Sequence, residues 1–388
     1  MIDLSPMKRI EVDADGAKVR AQGGCTLGDL DRETQRHGLA TPLGVVTKTG
    51  IAGLTLSGGM GWLRRKHGLS CDNLVSAQIV TADGDLLTAS DEENADLFWA
   101  IRGGGGNFGV VTSFEYRLHP VGPDVFVCFV LYPAERAGLV LPFCERYLTE
   151  TEEELAPIGI LGRVPEAEDF PPEAHGEPYV ALLAPYPGDP AEGERVVRPL
   201  RKLGDPIADL SGAMRWTEAQ SMLDDDYPDG WRYYWKSVNM PELSDDVIER
   251  LVEHAAAAPS PHSTIDVWYQ GGAVARIDEE ATPFANRGEP YLLGIEGNWE
   301  AESASEENVV WVREMFADMR SLSRGGVYLN FPGFLEEGEQ LLQEGYGTNY
   351  ERLRELKSRH DPANLFRLNA NIEPKGQAGG PGEGKPPP

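Results

Sequence analysis

Two glycine-rich stretches constrain this chain more than any other feature. The first, GVVTKTGIAGLTLSGGMGWLRRKHGL, runs from Gly44 to Leu69 and contains Gly50, Gly53, Gly58, Gly59 and Gly61. The second, RGGGGNFGVVTSFEYRL, runs from Arg102 to Leu118, and its Gly104, Gly106 and Gly109 spell G-x-G-x-x-G. Without a Cβ, such backbone turns sharply or approaches another group closely. A dinucleotide fingerprint of the doubly wound fold must follow a strand and open a helix. Here the order is reversed. Ser90 and Glu93 resemble a capping box, and NADLFWAIRG places Leu97, Ala100 and Ile101 on one helical face ended by Gly103. VVTSFEYRL then reads as a strand. Helix, glycine loop, strand excludes the doubly wound reading. The first cluster leaves two readings open on spacing alone: backbone nests around a pyrophosphate, or close packing of a helix on a sheet.

The surrounding elements are hairpins and helices without a repeating βαβ pattern, which makes the class α+β. KRIEVDADGAKVRAQGG is a hairpin turning at Asp15-Gly16, and NLVSAQIVTADGDLLTAS is another turning at Asp83-Gly84. Thr26 caps a helix that Gly38 ends. From about Pro123 to Asn330 the pattern changes. DVFVCFVLYP, GEPYVALLAPYPG, WRYYWKSVNM, STIDVWYQGGAVARI, PYLLGIEGNWE and GGVYLNF read as strands. Two amphipathic helices follow Ser244 and Ser303 as N-caps. The division is 1–122, 123–330 and 331–374, with a Gly/Pro-rich tail from 375 to 388 that reads as disordered.

Charge narrows the function classes. Sixty-three acidic against 35 basic residues give a net charge of -28, which argues against nucleic acid or an anionic membrane as partner. No stretch reaches the ~18 apolar residues of a membrane span, and MIDLSPMKRI lacks the apolar core of a signal peptide. Cys25, Cys71, Cys128 and Cys144 form no C-x-x-C pair and read as reduced thiols of a cytoplasmic protein. The histidines have no metal-binding spacing, so no metal site is expected.

IDLSPMKRIEVD, VRAQGGCTLGDLDRE, the Gly50–Gly84 stretch, DLFWAIRGGGGNFGVVTSFEYRLHP and the distant YERLRELKSRHDPANLFRLNANIEP together resemble the FAD-linked oxidases of the berberine bridge enzyme type. The resemblance implies a PCMH-type FAD-binding domain, incomplete at its N-terminus, plus an antiparallel-sheet substrate domain backed by helices. It implies an FAD-dependent oxidoreductase that takes hydride from an alcohol, sugar or secondary metabolite, with O2 as acceptor. The alternatives are a vestigial non-catalytic member or one half of a split flavoenzyme. By the same resemblance Gly50, Gly53, Gly58, Gly59, Gly61, Gly105, Gly106, Val110, Val111, Asn369 and Asn371 contact FAD.

Three departures from the family pattern shape further expectations. By the resemblance, Met1 stands where the second half of the family's FAD domain begins, so the histidine loop that links flavin is expected to be missing from this chain. His37 and His67 read as surface or satisfied histidines. The position of a second, cysteinyl link is Val46, so FAD is expected to be non-covalent. The family's tyrosine base falls on Phe331, within Tyr328-Leu329-Asn330-Phe331. Tyr328 and Asn330 are the catalytic candidates, expected to face the flavin-side pocket; in a regular strand Tyr328 lies on the face opposite Phe331, and Phe331 is expected to point elsewhere or to cap the pocket as an apolar wall. Tyr233, Lys236, Tyr269, Gln270 and Arg287 are further candidates. A shortened first sheet should expose an edge near Ile2–Leu4 and Ile10–Val12, inviting a homo-oligomer or a complementing N-terminal fragment.

Overall fold

The computed structural model describes residues 2–376, and the expected disordered tail lies outside them except for Lys375 and Gly376. Lys375 is tied down: its ammonium reaches Glu351 and Glu355, and its N–H is donated to Ser358 Oγ at 2.6 Å. Among the described residues two large antiparallel sheets organise the chain. In the first, Ile10–Asp13, Lys18–Gln22, Val110–Arg117, Leu74–Val80 and Leu86–Ser90 lie side by side in that order. Ile10–Asp13 is an edge strand, with Ile10 and Val12 half-buried and Ile2 exposed. The helix Leu27–Thr34 begins at a capping box between Thr26 and Asp29, and Gly38 adopts the left-handed conformation after its last turn.

The second sheet runs Ala208–Asp209, Asp124–Pro133, Pro178–Tyr186, Ile158–Arg163, Thr264–Tyr269, Tyr291–Trp299 and Arg232–Met240, with Gly212–Arg215 also paired to Asp124–Pro133. Side chains alternate across it. One face, with Leu182, Ile265 and Leu293, packs on Leu141, Leu251, Val312 and Met315 of the helices Ala137–Glu150, Asp245–Ala256 and Ser305–Arg320. The other face, with Ile158, Leu183, Trp268 and Leu292, packs on Met60, Trp62 and Leu63 of the first glycine-rich stretch. The sheet thus packs on helices on one face and on the glycine stretch on the other.

Several local expectations need correction. GGVYLNF is not a strand. The 326–332 segment crosses the sheet end irregularly, held by an Asn239 N–H to Gly326 bond, a Ser237–Tyr328 exchange and an isolated bridge from Lys236 to Pro332. Gly325 and Gly326 hold positive φ where the segment begins, and a turn closed by the Phe331 N–H donated to the Tyr328 carbonyl breaks the extended run. Ser90 does not cap the following helix. It closes a turn by accepting the Glu92 and Glu93 N–H groups, while Asn94, at φ +51°, is the N-cap residue. Ser244 caps its helix, but Ser303 sits inside a short 3-10 turn. In the first hairpin the positive φ falls on Ala17, because Gly16 donates its N–H to Asp13 Oδ1. Beyond Tyr269 the STIDVWYQGGAVARI segment leaves the sheet and forms the short helix Ala273–Arg276.

The second glycine run is clamped by the C-terminal return. Asn107, fully buried, donates Nδ2 to the Gly104 and Ala370 carbonyls and accepts the Ile372 N–H. Lys357 and Asp361, both at 0% exposure, pair at 2.6 Å. The Lys357 ammonium also donates to the carbonyls of Asn107 and Phe366, while Asp361 accepts the Leu365 and Phe366 N–H groups. Removing one partner of such a pair strands the other charge away from water. Asp361→Ala should destabilise the protein by about 3–5 kcal/mol, read as a lowered midpoint in urea; an unchanged midpoint would mean that the pair is not structurally required.

Candidate functional site

Between the glycine stretch and the second sheet lies a cavity of about 490 Å³. Its first wall is backbone-rich: Gly44, Val45, Val46, Thr49, Gly50, Gly53, Leu54 and Met60. Gly50 is the N-cap of the helix Ile51–Leu56 and Gly53 lies within it, and a Cβ on either would meet nothing within 4 Å. That wall thus leaves room directly over its backbone. Gly58, Gly59 and Gly61 serve the chain itself and lie outside the cavity lining. A Cβ there would run into Phe284, Ser70 and the Leu43 carbonyl respectively. The Gly58 and Gly59 carbonyls are already occupied by the N–H groups of Cys71 and Ser70.

The opposite wall is the cavity-facing set of three neighbouring strands: Tyr233 and Trp235, Asp266 and Trp268, and Glu296, with Tyr227 from the preceding loop. Strand parity decides membership. Lys236 and Tyr269 fall on the helix-facing side, where Lys236 pairs with Glu337 at 2.6 Å and Tyr269 Oη donates to the Leu141 carbonyl. Arg287 is buried in a two-pronged pair with Asp72, and Gln270 follows the strand outside the lining. Of the five additional candidates, only Tyr233 reaches the cavity.

The crossing segment supplies the third wall. Tyr328, Asn330 and Phe331 all line the cavity; the segment is not a regular strand, so the opposite-face placement that a regular strand would give does not apply, and of the two placements expected for Phe331 it takes the one on the pocket wall. Asn330 Nδ2 donates to Tyr328 Oη at 2.7 Å and to the Leu54 carbonyl at 3.3 Å, and the Met60 N–H also donates to Tyr328 Oη. Burial pushes the Tyr328 phenol up to about 12 despite those donors, so it holds its proton at neutral pH. Phe331 is an apolar wall, edge-on to Trp235 at 5.3 Å.

The remaining candidates lie apart from this cavity. Val110 and Val111 open the Val110–Arg117 strand opposite Val80 and Ile79. Gly105 holds φ +71° and donates its N–H to the Leu56 carbonyl. Gly106 faces Asn369, whose amide would clash with a Cβ there, and Asn371 Oδ1 is buried without a partner. His37 is exposed, and His67 stacks on His119 at 3.7 Å.

Asp266 and Glu296 were not among the sequence candidates. They are 3% and 2% exposed. Burial, and then the charge of Glu296, raises Asp266 well above the usual carboxylate range. Burial raises Glu296 to about 7, against the lowering effect of the 2.6 Å bond that Tyr227 Oη donates to it. Glu296 can therefore exchange a proton near neutral pH. The available signal was a single acid inside each of two apolar runs, STIDVWYQ and YLLGIEGNW. Because the folded carboxyl holds its proton up to about 7 and an unfolded one only to 4.5, the folded state binds more protons across that window, and stability falls as pH rises through it. Glu296→Gln should flatten this fall, by on the order of 1–3 kcal/mol between its ends, as measured by urea unfolding at each pH. A wild-type stability that rises across the window would contradict the assignment.

Residues 1–90 match a family described as "FAD binding domain", and residues 327–373 one described as "Berberine and berberine like". An FAD-linked oxidoreductase of Dictyostelium discoideum is 30% identical over 381 residues, covering 96% of this chain and 79% of the relative. The (R)-6-hydroxynicotine oxidase of Paenarthrobacter nicotinovorans is 30% identical over 390 residues, covering 97% and 82%. A berberine bridge enzyme-like structure from Arabidopsis thaliana, number 28, superposes with a TM-score of 0.85 at 24% identity over 96% of this chain and 82% of the other. With that identity sustained along nearly the whole chain, the protein belongs to the FAD-linked oxidoreductases of the berberine bridge enzyme-like family and is an FAD-dependent enzyme.

Proposed function

We propose that this enzyme oxidises a small molecule held in the cavity between the glycine wall and the second sheet, and that O2 is the electron acceptor. The observation that carries this reading is the open backbone at Gly50 and Gly53 beside the cavity, where an added Cβ would meet no atom of the described residues within 4 Å. A flat ring system can lie directly on such a wall, so the residues present fit the cofactor. FAD, when bound, supplies the hydride acceptor. The chain's own contribution is placement. Gly50, Gly53 and Leu54 hold one side, and Gly105, Gly106, Val110, Val111, Asn369 and Asn371 are proposed to hold the rest of the dinucleotide. Tyr328 and Asn330, bound to each other and to the Met60 and Leu54 backbone, present a fixed phenol and amide to the reacting end. The aromatic wall of Tyr233, Trp235 and Phe331 limits the space left for water.

The glycine wall gives a direct test. Gly53→Leu adds a side chain that meets no protein atom at its Cβ and improves helix propensity by up to about 1 kcal/mol. The variant should keep or raise its melting temperature while losing FAD affinity by more than about tenfold, measured by calorimetric titration. Unchanged FAD binding would remove this wall from the cofactor site. A second expectation concerns the link. The cavity lining contains neither His nor Cys, so acid precipitation of the flavin-loaded chain should leave the flavin in the supernatant. Fluorescent flavin retained in the washed pellet would overturn non-covalent binding.

A further inference from the structure

The cavity has a chemical bias that the glycine wall does not explain. Asp266 and Glu296 come from adjacent paired strands and point into it from the same face, with Asp266 opposite Gly294 and Glu296 opposite Trp235. A substituent on Gly294 would touch both acids, at 3.4 Å from Glu296 Oε1 and 3.5 Å from Asp266 Cβ. Glycine therefore leaves the space between them free. Among the described residues Asp266 Oδ1 has no hydrogen-bond partner, although the residue is buried. The groups acting on the pair are Tyr227, Thr264 and Asp226, and none is cationic. Arg64 lies 5.1 Å from the Trp268 ring, but its N–H groups are spent on the backbone carbonyls of Gly61, Ala156, Pro157 and Tyr269.

Two carboxyl groups sharing a desolvated wall repel each other when ionised and leave acceptor oxygens unsatisfied. A neutral hydroxyl can satisfy an oxygen but cannot relieve the repulsion. A protonated amine does both, since it brings a positive charge and several N–H donors. Tyr227, Tyr233 and Trp235, in mutual edge and tilted contact at 5.3–6.3 Å, surround the pair with aromatic rings, whose faces also favour a cation. We infer that Asp266 and Glu296 form an ammonium-binding subsite, and that the substrate of this enzyme is an amine carrying an apolar or aromatic body. This rests on the proposal that the cavity is the substrate site, and it names the substrate class.

The test uses the full chain with excess FAD under argon, titrated calorimetrically with benzylamine and with benzyl alcohol, which differ in charge at similar shape. At about pH 8 benzylamine is mainly protonated and Glu296 mainly ionised. The ammonium should then bind at least about tenfold tighter than the alcohol. The preference should shrink at about pH 5.5, where Glu296 carries its proton. Asp266→Asn and Glu296→Gln should each bring benzylamine down to the level of benzyl alcohol. If either variant fails to fold by circular dichroism, the wild-type comparison alone decides. Equal binding of the two probes overturns the inference, as does tighter binding of the neutral sugar cellobiose than of benzylamine. A separate FAD titration keeps the two claims apart. Preference for the ammonium without FAD binding supports the subsite and removes the flavin reading of the glycine wall. FAD binding without that preference removes the subsite alone.

Discussion

The buried Lys357–Asp361 pair sets the geometry on which the rest of this molecule depends. An ammonium fully removed from water is tolerated only when its protons are accepted and its charge is balanced. Lys357 meets that demand by reaching Asn107 in the second glycine run and Phe366 in the C-terminal return. One side chain therefore joins two segments some 250 residues apart. Asn107 repeats the device with neutral groups. The helix Tyr350–His360 can come this near because Gly104 has no Cβ; one would meet Leu353 at 2.8 Å. Glycine is required here for protein–protein contact, whatever else the loop contacts.

The first glycine stretch shows a division of labour that its spacing hides. Gly58, Gly59 and Gly61 let the chain fold against Phe284, Ser70 and Leu43. Gly50 and Gly53 face open space. Of the two readings that spacing left open, close packing holds at Gly58, Gly59 and Gly61, while Gly50 and Gly53 leave open backbone beside the cavity. Thr47 donates its N–H and hydroxyl to Asp224, which ties the glycine stretch to the short turn that leads into Tyr227.

Electrostatically the cavity is asymmetric. The glycine wall is neutral, the crossing segment offers a protonated phenol and an amide, and the sheet wall carries two acids whose ionisation burial opposes. Such a site costs stability at higher pH unless something positive enters it. The sheet can bear that cost because its other face is packed by long helices over a continuous apolar core.

The sequence by itself determined the class of the molecule. Reversed order around G-x-G-x-x-G excluded the doubly wound fold, the hairpins and helices were legible from their periodicity, and five motifs in a fixed order carried the resemblance to flavin oxidases. Those signals are local, and local backbone chemistry is what hydrophobic period and turn residues encode. Tertiary structure alone decided which side chains share a cavity. Tyr233 entered it and Lys236 did not because neighbouring strand positions point to opposite faces and only the assembled layers say which face is which. Tyr328 and Phe331 met on one side because a turn between them, closed by the Phe331 N–H donated to the Tyr328 carbonyl, replaces the strand that the composition suggests. Asp266 and Glu296 became a pair through strand register, which depends on contacts distant in sequence and has no signature in either run taken alone.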